Sequence, residues 1–161
     1  MKNKTLWWTI GLVVVIGGLF TWGNLAKRAE TASRTNRDVA LLCTTDMATQ
    51  FHVHPTLKIV INGIEQTIPA NIGIQPTCMN SLHTHDTSGT IHVEAPEQRD
   101  FTLADFFAVW KEPFSKDQIL DSKVDAQHLI RETVNGVEVQ DRENTILHDK
   151  DQIAIYYEQK K

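Results

Sequence analysis

The chain has 161 residues, 41% of them hydrophobic and 22% charged, and its formal net charge is −4. This length fits one ordinary domain, and the apolar fraction excludes a disordered chain. Two cysteines are too few for a disulfide-dense scaffold. All 20 acidic residues follow residue 23, and an acidic body of this kind predicts no nucleic-acid partner.

An apolar segment near the N-terminus predicts a membrane helix. Residues 5–26 contain no charged side chain over a run of 22 positions. As a helix this run is roughly 33 Å long, which is enough for a bilayer core of about 30 Å. Trp7, Trp8 and Trp22 lie near its ends, where indole rings favour the membrane interface. We therefore predict a single-pass helix that contacts the lipid bilayer through residues 6–22.

The alternative for this segment is a cleaved signal peptide. Cleavage needs small side chains at defined positions just past the apolar run, and residues 24–26 match that requirement poorly. We therefore favour an uncleaved N-terminal anchor over residues 1–23. A polar juxtamembrane stalk is predicted over residues 24–40, and one domain over residues 41–161.

Three β-hairpins and a final strand are predicted within the domain. An Asn-Gly pair between two β-branched runs is a strong hairpin signal, and it occurs twice. The first predicted hairpin joins residues 56–61 to 64–68 through Asn62-Gly63, and the second joins residues 82–85 to 90–94 through the loop 86–89. The third joins residues 130–134 to 137–139 through Asn135-Gly136. The last strand covers residues 153–157.

One helix is well marked between the second and third hairpins. Thr102 is a helix-capping residue type, and Asp105 follows it at the spacing of a capping box. A single apolar stripe follows at helical spacing: Leu103, Phe106, Phe107 and Trp110. We interpret the stripe as the face that packs on the sheet, and Pro113 as the end of the segment.

A second short helix is predicted directly after this one. Ser115 and Gln118 repeat the capping-box spacing, which predicts a helix through about Leu120. The order of hairpin, hairpin, helix, hairpin and strand is typical of an α+β domain. Behind the N-terminal transmembrane helix we therefore predict one small domain of β-hairpins around a helix. We expect it to be β-grasp-like, with a cupredoxin-like β sandwich as the alternative.

Histidines are concentrated in one part of the domain. Five of them fall within 41 positions: His52, His54, His83, His85 and His92. The first four form two His-x-His pairs, and side chains two residues apart on a strand share a face, about 6.6 Å apart. His92 joins the face of His83 and His85 if the intervening loop closes with two or four residues. The cluster predicts a site for a copper or zinc ion.

Further candidates for the site lie beside the histidines. Imidazole combined with thiolate or thioether suits copper or zinc, so Cys78 and Met79 are possible ligands. Asp86 and Glu94 are candidate acceptors that would orient ligating imidazoles. Two alternatives remain open at this point: histidines that are hydrogen-bonded within the protein without a metal, and histidines that transfer protons.

The two cysteines have two interpretations. In an oxidising compartment, Cys43 and Cys78 would form a disulfide that ties the start of the domain to the segment before the second hairpin. Alternatively, Cys78 is a metal-bound thiolate and Cys43 is free. We favour the disulfide.

Three runs carry a resemblance to a known group of proteins: HVHP from residue 52, LHTHDTSGTIHVE from residue 82 and FTLADFFAVW from residue 101. The stretch 52–114 resembles a family of small, uncharacterised bacterial and archaeal proteins. Members have an N-terminal membrane helix and one extracytoplasmic domain. The resemblance implies that the domain is extracytoplasmic and that the histidines are a family feature, but it implies no activity. This chain has Ser81 where family members carry an aromatic residue.

Three functions of different classes follow from these patterns. The one we favour is a membrane-tethered extracytoplasmic protein that binds copper or zinc through its histidine cluster. The second is an adaptor or sensor domain without metal, which presents a sheet edge to a partner protein. The third is a small metal-dependent enzyme, which would need an open coordination position beside a general base such as Glu94.

Overall fold

The structure, a computed structural model, describes residues 34–45 and 49–160. The anchor predicted over residues 1–23 lies outside the described residues, as does most of the stalk predicted over residues 24–40. Among the residues that are described, no helix has the length and apolar character needed to cross a membrane. The elements below all belong to one compact unit, Asn36–Lys161.

The described residues form an α+β fold that is mostly β-sheet, as the order of elements predicts. In this part of the chain the helices are α1 (Asn36–Leu41), α2 (Leu103–Trp110) and one 3-10 turn (Arg142–Asn144). The strands are β1 (Cys43–Thr44), β2 (Phe51–Val53), β3 (Thr56–Ile61), β4 (Ile64–Gln66), β5 (Ile74–Gln75), β6 (Cys78–Asn80), β7 (Leu82–His83), β8 (His92–Ala95), β9 (Phe114–Ser115), β10 (Gln118–Ile119), β11 (Ser122–Lys123), β12 (His128–Val134), β13 (Val137–Val139) and β14 (Gln152–Gln159).

The largest sheet has five strands in the order β13-β12-β14-β3-β4. Its central strand β14, predicted as the last strand, is parallel to β3 and antiparallel to β12. The two predicted Asn-Gly hairpins flank this centre and are confirmed. Asn62 and Gly63 have φ values of 50° and 82°, which are the left-handed conformations that an Asn-Gly turn adopts without strain.

Helix α2 begins and packs as its sequence predicts. The Thr102 hydroxyl accepts the N–H of Asp105, and the Asp105 carboxylate accepts the N–H of Thr102 at 3.0 Å. This reciprocal pair satisfies two backbone donors that the first helical turn leaves open. Phe106 and Phe107 are buried in one core with Ile155 of the central strand, so the aromatic stripe is the core face.

Helix α1 extends the compact unit toward the N-terminus. Val39 and Ala40 are buried, and the Arg37 Nε donates to the Asp105 carboxylate at 2.8 Å. Residues 36–40, which the sequence assigns to the stalk, therefore pack on the domain. Nothing in their polar composition signals this, because the burial involves only two small or medium side chains.

The prediction of a short helix after Ser115 is wrong. The Ser115 hydroxyl accepts the N–H of Asp117, two residues on, and so forms a turn instead of capping a helix. Ile119 is then buried on strand β10, which pairs with β9 and β11. Leu120 adopts a φ of 49°, which ends the strand. A serine three residues before a glutamine is compatible with a capped helix and with a turn that leads into a strand. The strand is the conformation in which Ile119 is buried.

Candidate metal centre

A three-stranded sheet in the order β2-β8-β7 gathers the histidines. In this sheet His83 pairs directly with His92, and His52 pairs with Glu94. The pairing of His83 with His92 is the register expected from a loop that closes over four residues. The strands are shorter than the predicted 82–85 and 90–94, so the register brings His83 and His92 together, while His85 follows directly after β7 with its ring beside theirs. His54 follows directly after β2, with its ring beside that of His92.

Two groups of three histidines have ring nitrogens within 4.8 Å of one another. We call His83, His85 and His92 the inner triad, and His52, His54 and His92 the outer triad. The ring centres of the inner triad are 4.9, 5.3 and 4.5 Å apart. Those of the outer triad are 4.4, 6.1 and 4.7 Å apart. His92 belongs to both groups, and the nitrogens of each group lie close enough together to be candidate ligands of one ion.

The His83 ring has a fixed tautomer and an unused lone pair. Its Nδ1 lies 3.1 Å from the backbone oxygen of Asn80. Because a carbonyl only accepts, Nδ1 carries the proton and Nε2 presents its lone pair. That Nε2 is buried and has no hydrogen-bond partner among the described residues. Burial also lowers the pKa of His83, which keeps the ring neutral at physiological pH.

The buried segment around Thr84 holds the inner His-x-His pair in place. The Thr84 hydroxyl donates to the carbonyl of Pro69 at 2.8 Å and accepts the N–H of Ile72 at 3.1 Å. Pro69 and Ile72 belong to the loop before β5, and Gly73 lets this loop approach β7 closely. A Cβ at Gly73 would lie 2.4 Å from the oxygen of Leu82. Thr84 is thus bonded to the loop at two points, and its two histidine neighbours belong to the inner triad.

Replacing Thr84 with valine is expected to lower the free energy of unfolding by about 1–3 kcal/mol. Valine has nearly the same shape, but it leaves the buried N–H of Ile72 without its acceptor. Urea unfolding of the full chain measures the change. The matched control is Thr87→Val in the exposed loop, which should change stability little. Equal stability of the two variants would show that Thr84 does not hold this segment.

His92 is neutral for a related reason. Burial lowers its pKa to about 4, and the neighbouring rings of His85, His54 and His83 add to the effect. A neutral imidazole has one lone pair available for a metal ion, whereas the protonated form has none. The ring shared by both triads is therefore in the form that binds metal.

Two carboxylates lie against the outer triad. The Glu94 carboxylate is 3.0 Å from Nε2 of His52, as expected for an acceptor that orients a ligand ring. The Asp149 carboxylate accepts the backbone N–H of His54 at 3.0 Å and lies 4.0 Å from its Nδ1. Asp149 is not among the site residues predicted from the sequence. The parallel pairing of β14 with β3 brings it next to His54, and no local pattern encodes that contact.

Asp86 has a different partner from the one predicted. Its carboxylate accepts the N–H of Ser88 at 2.8 Å and shapes the loop between β7 and β8. Hydrogen bonds from Ser88 lower the pKa of Asp86, and attraction to His92 and His85 adds smaller contributions. Asp86 therefore keeps a negative charge close to the inner triad without a direct bond to an imidazole in the described residues.

Of the two sulfur ligands predicted for the site, Cys78 is not available. Cys78 forms a disulfide with Cys43, which confirms the favoured interpretation and removes Cys78 as a metal-bound thiolate. Met79 follows on β6, in the sheet formed by β1, β6 and β5, and its role as a ligand stays a prediction. A disulfide sulfur has no thiolate charge to offer, so the donor set of the two triads is imidazole alone.

Comparison with known proteins gives no match for this chain. No protein-family model matches it, and neither a curated protein nor a solved structure is similar enough to match. The family resemblance of residues 52–114 therefore remains a prediction. The case for the site rests on the geometry of its side chains.

Proposed function

We propose that this chain is a membrane-tethered extracytoplasmic protein that binds one copper or zinc ion through the inner triad. The observation that carries the proposal is the buried Nε2 of His83, whose lone pair has no partner among the described residues. Leaving a buried polar atom unpaired costs about 1–3 kcal/mol, and coordination to an ion would remove that cost. His85 and His92 are the two further imidazoles within reach.

The donor set supports copper or zinc over other ions. Neutral imidazole suits zinc and copper, whereas magnesium and calcium prefer oxygen ligands. Three histidines with room for one more ligand is a known arrangement for zinc. The hydrogen bond from Nδ1 of His83 to Asn80 is the kind of contact that fixes a ligating ring.

The membrane tether and the location outside the cytoplasm are part of the proposal. The apolar run at residues 6–22 supports a tether, and the resemblance to anchored proteins agrees with it. The Cys43–Cys78 disulfide supports an extracytoplasmic location, because disulfides persist in oxidising compartments. The order of the five-stranded sheet, with β14 parallel to β3 in its centre, supports a β-grasp-like fold.

Metal analysis of the full chain tests the proposed function. The protein is purified in detergent micelles, dialysed against Zn²⁺ or Cu²⁺ and analysed by atomic emission. We expect one ion per chain, and His85→Ala should weaken binding at least about tenfold. The matched control is His148→Ala, which removes an exposed histidine outside both triads. A chain that takes up neither ion would overturn the proposal and favour the metal-free adaptor.

A further inference from the structure

The two triads share His92 but differ in exposure and in charge. Side chains of His52 and His54 are 45% and 40% exposed, whereas His83 is fully buried. Exposure alone does not separate the triads completely, since His85 of the inner triad is also exposed. The clearest difference is that the inner triad contains a fully buried ring, that of His83, whereas the outer triad contains two rings in contact with solvent, those of His52 and His54.

The carboxylates beside the two triads also differ in their contacts: Asp86 lies near His85 and His92 of the inner triad but bonds to Ser88, whereas the outer triad is contacted directly. Glu94 contacts His52 directly and Asp149 contacts His54, so two carboxylates border the outer triad. The ring of His83 instead contacts a neutral backbone carbonyl, that of Asn80. Carboxylates beside a partly exposed site raise the local concentration of dications and speed their association. The outer triad is therefore the better place to capture an ion, and the inner triad is the better place to retain it.

We propose that the outer triad is a second metal-binding position, which captures the ion and passes it to the inner triad through His92. This inference rests on the proposed function. A neutral imidazole offers one lone pair, so His92 binds the ion in one triad at a time. Its ring centre is 4.7 Å from that of His54 and 4.5 Å from that of His85. The ion keeps His92 while it exchanges His52 and His54 for His83 and His85.

The carboxylates beside the outer triad explain why a second, buried position for the ion is useful. An exposed site with two nearby carboxylates binds quickly but also lies open to competing ligands in solution. Transfer to the ring of His83 replaces one exposed and one half-buried ligand with one buried and one exposed ligand. The buried lone pair of His83 gains a partner only in that second step, which favours transfer inward.

Rates of zinc binding to the full chain test the inference. The double variant His52→Ala/His54→Ala keeps the inner triad and lacks the outer one. The protein is mixed with Zn²⁺ in a stopped-flow instrument, and a fluorescent chelator reports the free Zn²⁺. We expect the double variant to bind Zn²⁺ about tenfold more slowly than the unchanged chain. Dissociation should slow by the same factor, because the ion leaves by the path it used to enter. The equilibrium affinity and the single bound ion should be unchanged.

A second variant separates this inference from the proposed function. His85→Ala removes only the inner triad, so it should leave association fast and make dissociation faster. The control His148→Ala should change neither rate. Unchanged association in His52→Ala/His54→Ala, with binding still weakened in His85→Ala, would overturn the capture position and leave the proposed function standing. Two zinc ions per chain would likewise overturn the shared use of His92, whereas no bound zinc would overturn both proposals.

Discussion

Replacing His92 with alanine is expected to lower the affinity of the full chain for zinc or copper by more than about 100-fold. Loss of a group that only orients a ligand already costs 10–100-fold, so loss of a ligand shared by both triads costs more. His92 is the one histidine common to the two triads found among the described residues. Its removal leaves two histidines on each side, and neither pair is a complete set.

Chelator competition with the full chain measures this loss, and two comparisons interpret it. His52→Ala leaves the inner triad complete, so it should reduce the equilibrium affinity far less than His92→Ala. His92 is only partly buried, and a thermal melt of the metal-free variant should stay close to that of the unchanged chain. An affinity of His92→Ala equal to that of His52→Ala would mean that the two triads do not meet at this ring.

A buried carboxyl group in the sheet should make stability depend strongly on pH. Glu132 lies on β12 opposite Ile155 and is fully buried. Neither of its oxygens has a hydrogen-bond partner among the described residues, although Thr145 and Arg142 are near enough to favour the charged form weakly. Burial dominates and raises the pKa of Glu132 from 4.5 to about 7.

The direction of the pH effect follows from this raised pKa. Between about pH 4.5 and pH 7 the folded chain keeps the Glu132 proton and the unfolded chain loses it. The free energy of unfolding therefore falls as pH rises through this window, by on the order of 3 kcal/mol in total, and is level above it. In Glu132→Gln this contribution to the slope should disappear, because the amide does not ionise.

Urea unfolding of the metal-free full chain from pH 4 to pH 8 measures the effect. Comparison of Glu132→Gln with the unchanged chain cancels the titration of all other groups. The matched control is Glu138→Gln, an exposed carboxylate on the neighbouring strand β13, which should leave the slope nearly unchanged. Parallel pH profiles for Glu132→Gln and the unchanged chain would contradict a protonated, buried Glu132.

Local signals in the sequence account for the two Asn-Gly hairpins of the largest sheet and for helix α2, whereas the short strands β1, β2, β5, β6 and β9–β11 were not predicted. The Asn-Gly turns at Asn62 and Asn135, the capping box at Thr102 and the aromatic stripe of α2 all lie where they are predicted. Each depends on interactions within a few residues. The segment after Ser115 is different, since its outcome depends on burying Ile119 in the core, which a capping pattern does not report.

The candidate site likewise combines features that local sequence patterns predict with features that they do not. Alternation along a strand predicts which histidines share a face, and the register of His83 with His92 agrees with it. Contacts between distant parts of the chain are not encoded locally, and the contact of Asp149 with His54 is one of these. The prediction of Cys78 as a metal-bound thiolate is wrong for a chemical reason, because its sulfur is bonded to that of Cys43.

X-ray absorption at the zinc edge tests the central claim most directly. The full chain is loaded with one equivalent of Zn²⁺, and the nearest ligands are identified from the fine structure. We predict imidazole nitrogens at about 2.0 Å, with at least three rings visible in the outer scattering and no sulfur at about 2.3 Å. A sulfur ligand, or zinc bound by oxygen without imidazole, would contradict a metal centre built from these histidines.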